Sequence, residues 1–171
     1  MIILNTGDGK GKTTSAVGQI IRSLGHEFRV CLIQLFKGEN FYGEQKILVK
    51  LDNLDFFPFA KEHPDCIKGV NLDKVVSQCR SAVKKLRDLA DVPEKYDLIV
   101  LEEFNIALRD KFIDENEFID IIKRLSQKSN VIVTGRGAPQ SLIDIADLVT
   151  EMKEIKHPYK KGVQSQRGIE Y

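Results

Sequence analysis

The chain has 171 residues, 42% of them hydrophobic and 30% charged, with a formal net charge of +1. Such a composition suits one soluble globular domain and gives no electrostatic reason to expect nucleic acid as the main partner. With no charged-then-apolar leader and no apolar run near the ~20 residues of a membrane span, a cytoplasmic protein is expected, neither exported nor membrane-spanning.

The first apolar run, Met1-Ile2-Ile3-Leu4, leads into Thr6-Gly7-Asp8-Gly9-Lys10-Gly11-Lys12-Thr13-Thr14. An apolar stripe at helical spacing follows in Ala16, Val17, Ile20, Ile21 and Leu24, stopped by Gly25. Strand, glycine loop and helix form the context in which a phosphate-binding loop has physical meaning. Successive N–H groups can turn around phosphate oxygens, and the helix N-terminus adds a positive dipole end. Lys12 supplies a mobile positive charge and the Thr13 hydroxyl a possible magnesium ligand. The common pattern G-x-x-x-x-G-K-[ST] places glycine where Thr6 stands; here the loop begins at Gly7 and carries the extra Gly9 and Lys10. The alternative is a glycine-rich turn that binds nothing, and the surrounding strand and helix favour triphosphate binding over it.

Phe28 to Phe36 reads as a strand of near-continuous apolar character, ending at Lys37-Gly38. Cys31 within it reads as a small core residue; Cys31, Cys66 and Cys79 show no C-x-x-C spacing, and their odd count argues against a disulfide framework. A short helix is predicted over Gly43 to Leu51 and a strand over Leu54 to Phe59; His63 to Gly69 reads as a loop. A helix from about Asn71 to Ala90 carries Leu72, Val75, Val76, Cys79, Ala82, Val83, Leu86 and Leu89 on one face. Asp97 to Glu103 is the next buried strand. Asp114, with Glu117 three residues on, caps a helix, flanked by Ile113 and Phe118 as a hydrophobic staple. Asn130 to Thr134 is a buried strand ending in Gly135-Arg136-Gly137. Ser141 to Ala146 makes a short helix, Leu148 to Ile155 a last strand, and Lys156 to Tyr171 a basic tail with no convincing period. The alternation predicts a doubly wound α/β fold with a mainly parallel sheet, whose ligands gather at the carboxyl ends of the strands.

Four polar features fall at those ends: the Gly7 loop, Lys37, Glu102-Glu103 and Arg136. Glu102 and Glu103 close an apolar strand where a P-loop protein keeps its magnesium-side acid. Strand alternation would send the two side chains to opposite sides, so one of them is expected to face the nucleotide. Arg136, between two glycines, is suited to bidentate phosphate contact, with an exposed turn arginine as the plain alternative. His157 reads as an ordinary loop histidine, and His26 as a favourable charge at a helix end. No nucleophilic triad and no zinc spacing is legible.

The glycine loop, Phe36-Lys37-Gly38, the stretch Asp97 to Asn105, Thr134-Gly135-Arg136-Gly137 and Ala146 to Met152 occur in order. They are followed by Lys156-His157-Pro158-Tyr159, Gly162, Gln166 and Gly168-Ile169-Glu170-Tyr171. Together they resemble the P-loop type of ATP:corrinoid adenosyltransferase, over nearly the whole chain, with the C-terminal third the most specific part. The resemblance implies a P-loop NTPase (RecA-like) three-layer α/β sandwich: a single domain over 1–171, whose tail 156–171 folds over the active site. It implies that cobalt of a reduced corrinoid, cob(I)alamin or cob(I)yrinic acid a,c-diamide, attacks the ribose 5′ carbon of ATP and expels triphosphate. No protein nucleophile is then needed. By motif match Gly7, Asp8, Gly9, Lys10, Gly11, Lys12, Thr13 and Thr14 would cradle the phosphates, with Arg136 as a further phosphate contact. Lys12 and Arg136 would stabilise the leaving triphosphate, and Thr13 with Glu103 would hold Mg²⁺ or Mn²⁺. The family usually has Asp-Glu where this chain has Glu102-Glu103, which leaves an exchange of roles between the two acids open. A flavoprotein reductant and a homodimer are also implied. Relatives often carry a Gly-Phe-x-Trp segment before the long helix. Here there is no tryptophan, and Phe56-Phe57-Pro58-Phe59 and His63-Pro64-Asp65-Cys66 stand instead, with Phe59 open between an aromatic wedge and a core role. The competing functions are a P-loop small-molecule kinase or ATPase, and an ATP-binding regulatory module without turnover.

Overall fold

Apolar runs that alternate with period two on two covered faces build the centre of this molecule. The computed structural model describes residues 1–38, 41–63, 69–92 and 94–171. In chain order these form β1 (Ile2–Thr6), α1 (Lys12–Leu24), β2 (Val30–Gln34), α2 (Gly43–Leu48), β3 (Leu54–Pro58) and α3 (Leu72–Asp91). Then come β4 (Leu98–Glu102), α4 (Phe104–Arg109), α5 (Glu115–Ser126), β5 (Asn130–Thr134), α6 (Gln140–Ile145), β6 (Leu148–Glu151) and a one-turn 3-10 helix, Pro158–Lys161.

The six strands lie in the order β3-β2-β4-β5-β1-β6, and every neighbouring pair is parallel. Side-chain alternation divides the apolar residues between two cores. Val30, Leu32, Leu98, Val100 and Ile132 pack with Ala16 and Ile20 of α1 and Leu48 of α2. Cys31, Ile33, Ile99, Leu101, Val131 and Val133 point the other way, into a core shared with α3, α4, α5 and α6. Helices on both faces of a parallel sheet, with β5 inserted between β1 and β4, make the RecA-like P-loop arrangement of three layers. Because the strands are parallel, the loops after β1, β2, β4 and β5 all leave from one edge.

Local chemistry explains most boundaries. Asn71 caps α3 by accepting from the Lys74 N–H at 3.0 Å, and Asp114 caps α5 by accepting from the Glu117 N–H at 2.8 Å. Ile113 and Phe118 beside that second cap are both buried. Several elements are shorter than their apolar runs: β2 ends at Gln34, α2 at Leu48 and β6 at Glu151. The tail, expected to be without a period, contains the 3-10 turn, for which His157 Nδ1 accepts from the Tyr159 N–H at 3.2 Å. The largest departure is α4. The strand expected to run through Glu103 stops at Glu102, and Glu103 takes a left-handed conformation, φ 65°, that starts a new helix.

Cys31 and Cys79 are free and buried. Phe59 is partly buried against the α3-side core, and His63 lies with its ring 5.8 Å from that of Phe36. Pro64, Asp65 and Cys66 lie outside the described residues.

Candidate functional site

A cleft of about 620 Å³ opens at the carboxyl edge of the sheet, lined by Asp8 to Thr14, Lys37, Tyr42, Glu44, Glu103, Arg136, His157 and Gly168 to Tyr171. A second cleft of the same volume lies between α3 and α5, among Arg80, Lys84, Arg87 and Lys111. Size does not choose between them. Chemistry does, because the first gathers the glycine loop, Lys37, Glu103 and Arg136.

The loop is built from both sides. Thr6 ends β1 and its hydroxyl accepts from the Ala138 N–H at 3.3 Å, so the residue replacing the usual first glycine is tied to the β5–α6 loop. Gly7, with φ 96°, and Gly9 sit directly against the backbone that leaves β6. A Cβ on Gly7 would lie 2.5 Å from Met152 O, and one on Gly9 2.7 Å from the same atom. The Gly9 N–H donates to that carbonyl at 2.6 Å. These two glycines therefore admit the chain's own Met152–Lys153 segment. Lys12 begins α1 and its Nζ donates to the carbonyls of Gly7 at 2.6 Å and Gly9 at 2.8 Å. Burial lowers the Lys12 pKa, and the Arg136 charge adds to the effect while Glu103 opposes it.

The two acids occupy different surroundings. Glu102 is 1% exposed and uses both oxygens: Oε1 accepts from Thr13 Oγ1 at 2.5 Å and from Lys37 Nζ at 3.1 Å, and Oε2 accepts from Thr134 Oγ1 at 2.5 Å. Lys37 Nζ also donates to Thr13 Oγ1 at 2.8 Å. Burial lowers the Lys37 ammonium, but Glu102 and Glu103 outweigh it and hold the group above its ordinary value. Glu103 lines the cleft. Its N–H donates to Thr134 Oγ1 at 3.0 Å, and its Oε2 is buried with no hydrogen-bond partner among the described residues. Burial, with the Glu102 charge adding, pushes the Glu103 carboxyl up to about 7. As expected, one acid of the pair, Glu103, lines the cleft, although strand alternation is not the cause, because the strand has already ended at Glu102. Leaving the strand in a left-handed turn, Glu103 stays on the same edge as Glu102, and both carboxylates act on Lys12 and Lys37.

Gly7, Asp8, Gly9, Lys10, Gly11, Lys12, Thr13, Thr14, Glu103 and Arg136 thus converge, with Gly7 bonded to Lys12 behind the cleft lining. Lys37, expected at a ligand-gathering strand end but without an assigned role, lies in the cleft, and Tyr42, Glu44 and Thr134, for which no role was expected, join it or bond to its acids. Lys37 and Thr134 each stand at a strand end within a stretch that carries the family resemblance, Phe36-Lys37-Gly38 and Thr134-Gly135-Arg136-Gly137, and that was the available signal. Tyr42 and Glu44 gave none. The tail reaches the cleft through Tyr171, whose ring stacks on Phe41 at 4.7 Å and 14°, and Glu170, whose Oε1 lies 3.4 Å from His157 Nε2.

A family model described as ATP:corrinoid adenosyltransferase BtuR/CobO/CobP matches residues 1–171. A corrinoid adenosyltransferase of Sinorhizobium is 35% identical over 178 aligned positions, covering 100% of this chain and 80% of that one. The corrinoid adenosyltransferase CobA of Salmonella typhimurium is 32% identical, covering 100% of this chain and 85% of its own. Among solved structures, the flagellar accessory protein FlaH of Methanocaldococcus jannaschii superposes with a TM-score of 0.58, over 88% of this chain and 69% of that one. At 13% identity that likeness concerns the fold alone.

Proposed function

The chain belongs to the ATP:corrinoid adenosyltransferase family, whose members adenosylate corrinoids, and on that premise we propose that it draws the adenosyl group from ATP and releases triphosphate. One bond forms, between cobalt of a reduced corrinoid and the ribose 5′ carbon. One breaks, between that carbon and the 5′ oxygen, and the triphosphate leaves with the electron pair. The cobalt is the nucleophile and belongs to the substrate. The protein's task is to fix the 5′ carbon in line with cobalt and to neutralise the leaving group.

The observation that carries this reading is the meeting of the glycine loop, Lys12, Arg136 and Glu103 with the C-terminal residues Gly168 to Tyr171 around one cleft. Gly7 to Thr14 would line the phosphates, and Lys12 and Arg136 would take up the growing charge. To reach phosphate, the Lys12 ammonium exchanges the Gly7 and Gly9 carbonyls for phosphate oxygens, a small swing of a flexible side chain. The donor set suits magnesium or manganese: a hydroxyl on Thr13, phosphate oxygens, and the Glu103 carboxylate with its orphaned Oε2. Thr13 and Glu103 would hold that ion, which when bound adds positive charge beside the triphosphate; Glu102 holds the Thr13 hydroxyl in place. The reading also comprises a single domain with the tail 156–171 folded over the site, a homodimer, a flavoprotein reductant and a cytoplasmic setting.

Incubation with ATP, Mg²⁺ and chemically reduced cobalamin should release triphosphate and form a light-sensitive Co–C bond, followed by its absorption spectrum. Lys12→Ala should lower that rate at least ~100-fold, the scale seen when a donor to developing charge is removed. ADP release with an unchanged corrinoid spectrum would assign the site to phosphoryl transfer instead.

A further inference from the structure

Lys37 lies three residues beyond β2 and is 7% exposed. Its Nζ stands 2.8 Å from Thr13 Oγ1 and 3.1 Å from Glu102 Oε1, with Glu44 Oε1 at 3.8 Å. The Tyr42 ring centroid is 4.9 Å away on the cleft side. A hydroxyl, a carboxylate and a more distant second carboxylate around one positive centre are the surroundings expected of a small bound cation. Lys12, by contrast, gives two of its three donors to the loop carbonyls. A threonine hydroxyl has one proton and two lone pairs. Here the proton goes to Glu102, Lys37 takes one lone pair, and one lone pair is left for a metal.

We propose that Lys37 is a built-in cation beside the metal position, a positioning residue that orients the Thr13 hydroxyl and sets how much divalent metal the site requires to take a triphosphate. The proposal rests on the reading that this cleft binds the phosphates of ATP. Two effects of opposite sign follow from the geometry. A fixed positive charge lining the cleft attracts a phosphate chain without metal. The same charge, in contact with a metal-ligating oxygen, repels a divalent ion and competes for that oxygen.

The test compares wild type, Lys37→Gln and Lys37→Arg by calorimetry, using inorganic tripolyphosphate and ATP, each in EDTA and across a magnesium titration. Lys37→Gln should weaken tripolyphosphate binding in EDTA about tenfold, the effect of losing one fixed positive charge from the cleft lining. It should also lower, severalfold, the magnesium concentration that half-restores binding. Lys37→Arg, which keeps charge and donors, should restore the metal-free affinity. If both the metal-free and the metal-dependent affinities fall together, Lys37 is only structural and the proposal is overturned; it is equally overturned if neither changes. Should Lys37→Gln not fold, wild type with ¹⁵N-labelled lysine side chains decides the matter, the Lys37 signal being assigned by its loss in Lys37→Arg. That signal should shift on adding magnesium with tripolyphosphate, and a stationary signal overturns the proposal. If wild type binds neither tripolyphosphate nor ATP under any condition, the nucleotide reading itself fails first, an outcome distinct from wild type and Lys37→Gln binding alike.

Discussion

Glu102 and Glu103 are neighbours in the chain with opposite electrostatic situations. Glu102 has three hydrogen-bond donors on its two oxygens, so its buried charge is compensated. Glu103 keeps a buried oxygen without a partner among the described residues and is held toward its neutral form. Removing the charge from each should therefore act in opposite directions on stability. Glu102→Gln breaks a buried ion pair with Lys37 and should cost about 3 kcal/mol, read as a lower melting temperature. Glu103→Gln relieves a carboxylate whose burial and repulsion from Glu102 outweigh the attraction of Lys37, Lys12 and Arg136, so its melting temperature should stay level or rise. Activity should nevertheless fall more for Glu103→Gln than its stability would suggest, because the carboxylate that lines the cleft is lost. Thermal melts and triphosphate release on both variants check this, and a destabilised Glu103→Gln would place the unpaired charge elsewhere.

At the scale of elements, the glycine loop and the strand end after β6 form one unit. The Gly9 N–H donates to Met152 O, and the Met152 N–H donates to Thr6 O. Gly9→Ala would bring a methyl carbon within 2.7 Å of Met152 O and 2.8 Å of the Lys153 carbonyl carbon. Both neighbours are backbone, so the strand end itself must move. The expected result is a loss of about 1–3 kcal/mol, together with weaker ATP binding because the loop shifts with it. Equal melting temperatures for this variant and wild type would show that the two segments are not braced. The same scale explains what the sequence concealed. Helix α4 has six residues, fewer than two turns, and Phe104 to Leu108 are all buried, so it carries no amphipathic stripe to read. Helices α3 and α5 were legible because each has a polar face and a side-chain cap.

For the whole molecule, the question is what the tail contributes beyond the fold. Tyr171 stacks on Phe41 and Glu170 meets His157, both at the cleft and neither in a core cluster. A chain shortened by Gly168 to Tyr171 should melt within about 2 °C of wild type, since few buried apolar contacts are lost. Its KM for ATP should rise severalfold, and steady-state kinetics that match wild type would free the tail of any role at the site. The sequence by itself determined the parallel α/β architecture, because near-continuous apolar strands alternating with amphipathic helices admit little else. It also made the glycine loop between β1 and α1 legible, since glycines, lysine and threonine stand there at fixed spacing in a single continuous stretch. Only the tertiary structure decided how the two acids divide, that Lys37 and Thr134 join them, and that Gly7 and Gly9 admit Met152 and Lys153. Those facts depend on residues from β1, β2, β4, β5 and β6 meeting at one edge of the sheet. A left-handed turn at one residue, Glu103, ends the strand and leaves that carboxylate lining the cleft, and no periodicity along the chain encodes such a turn.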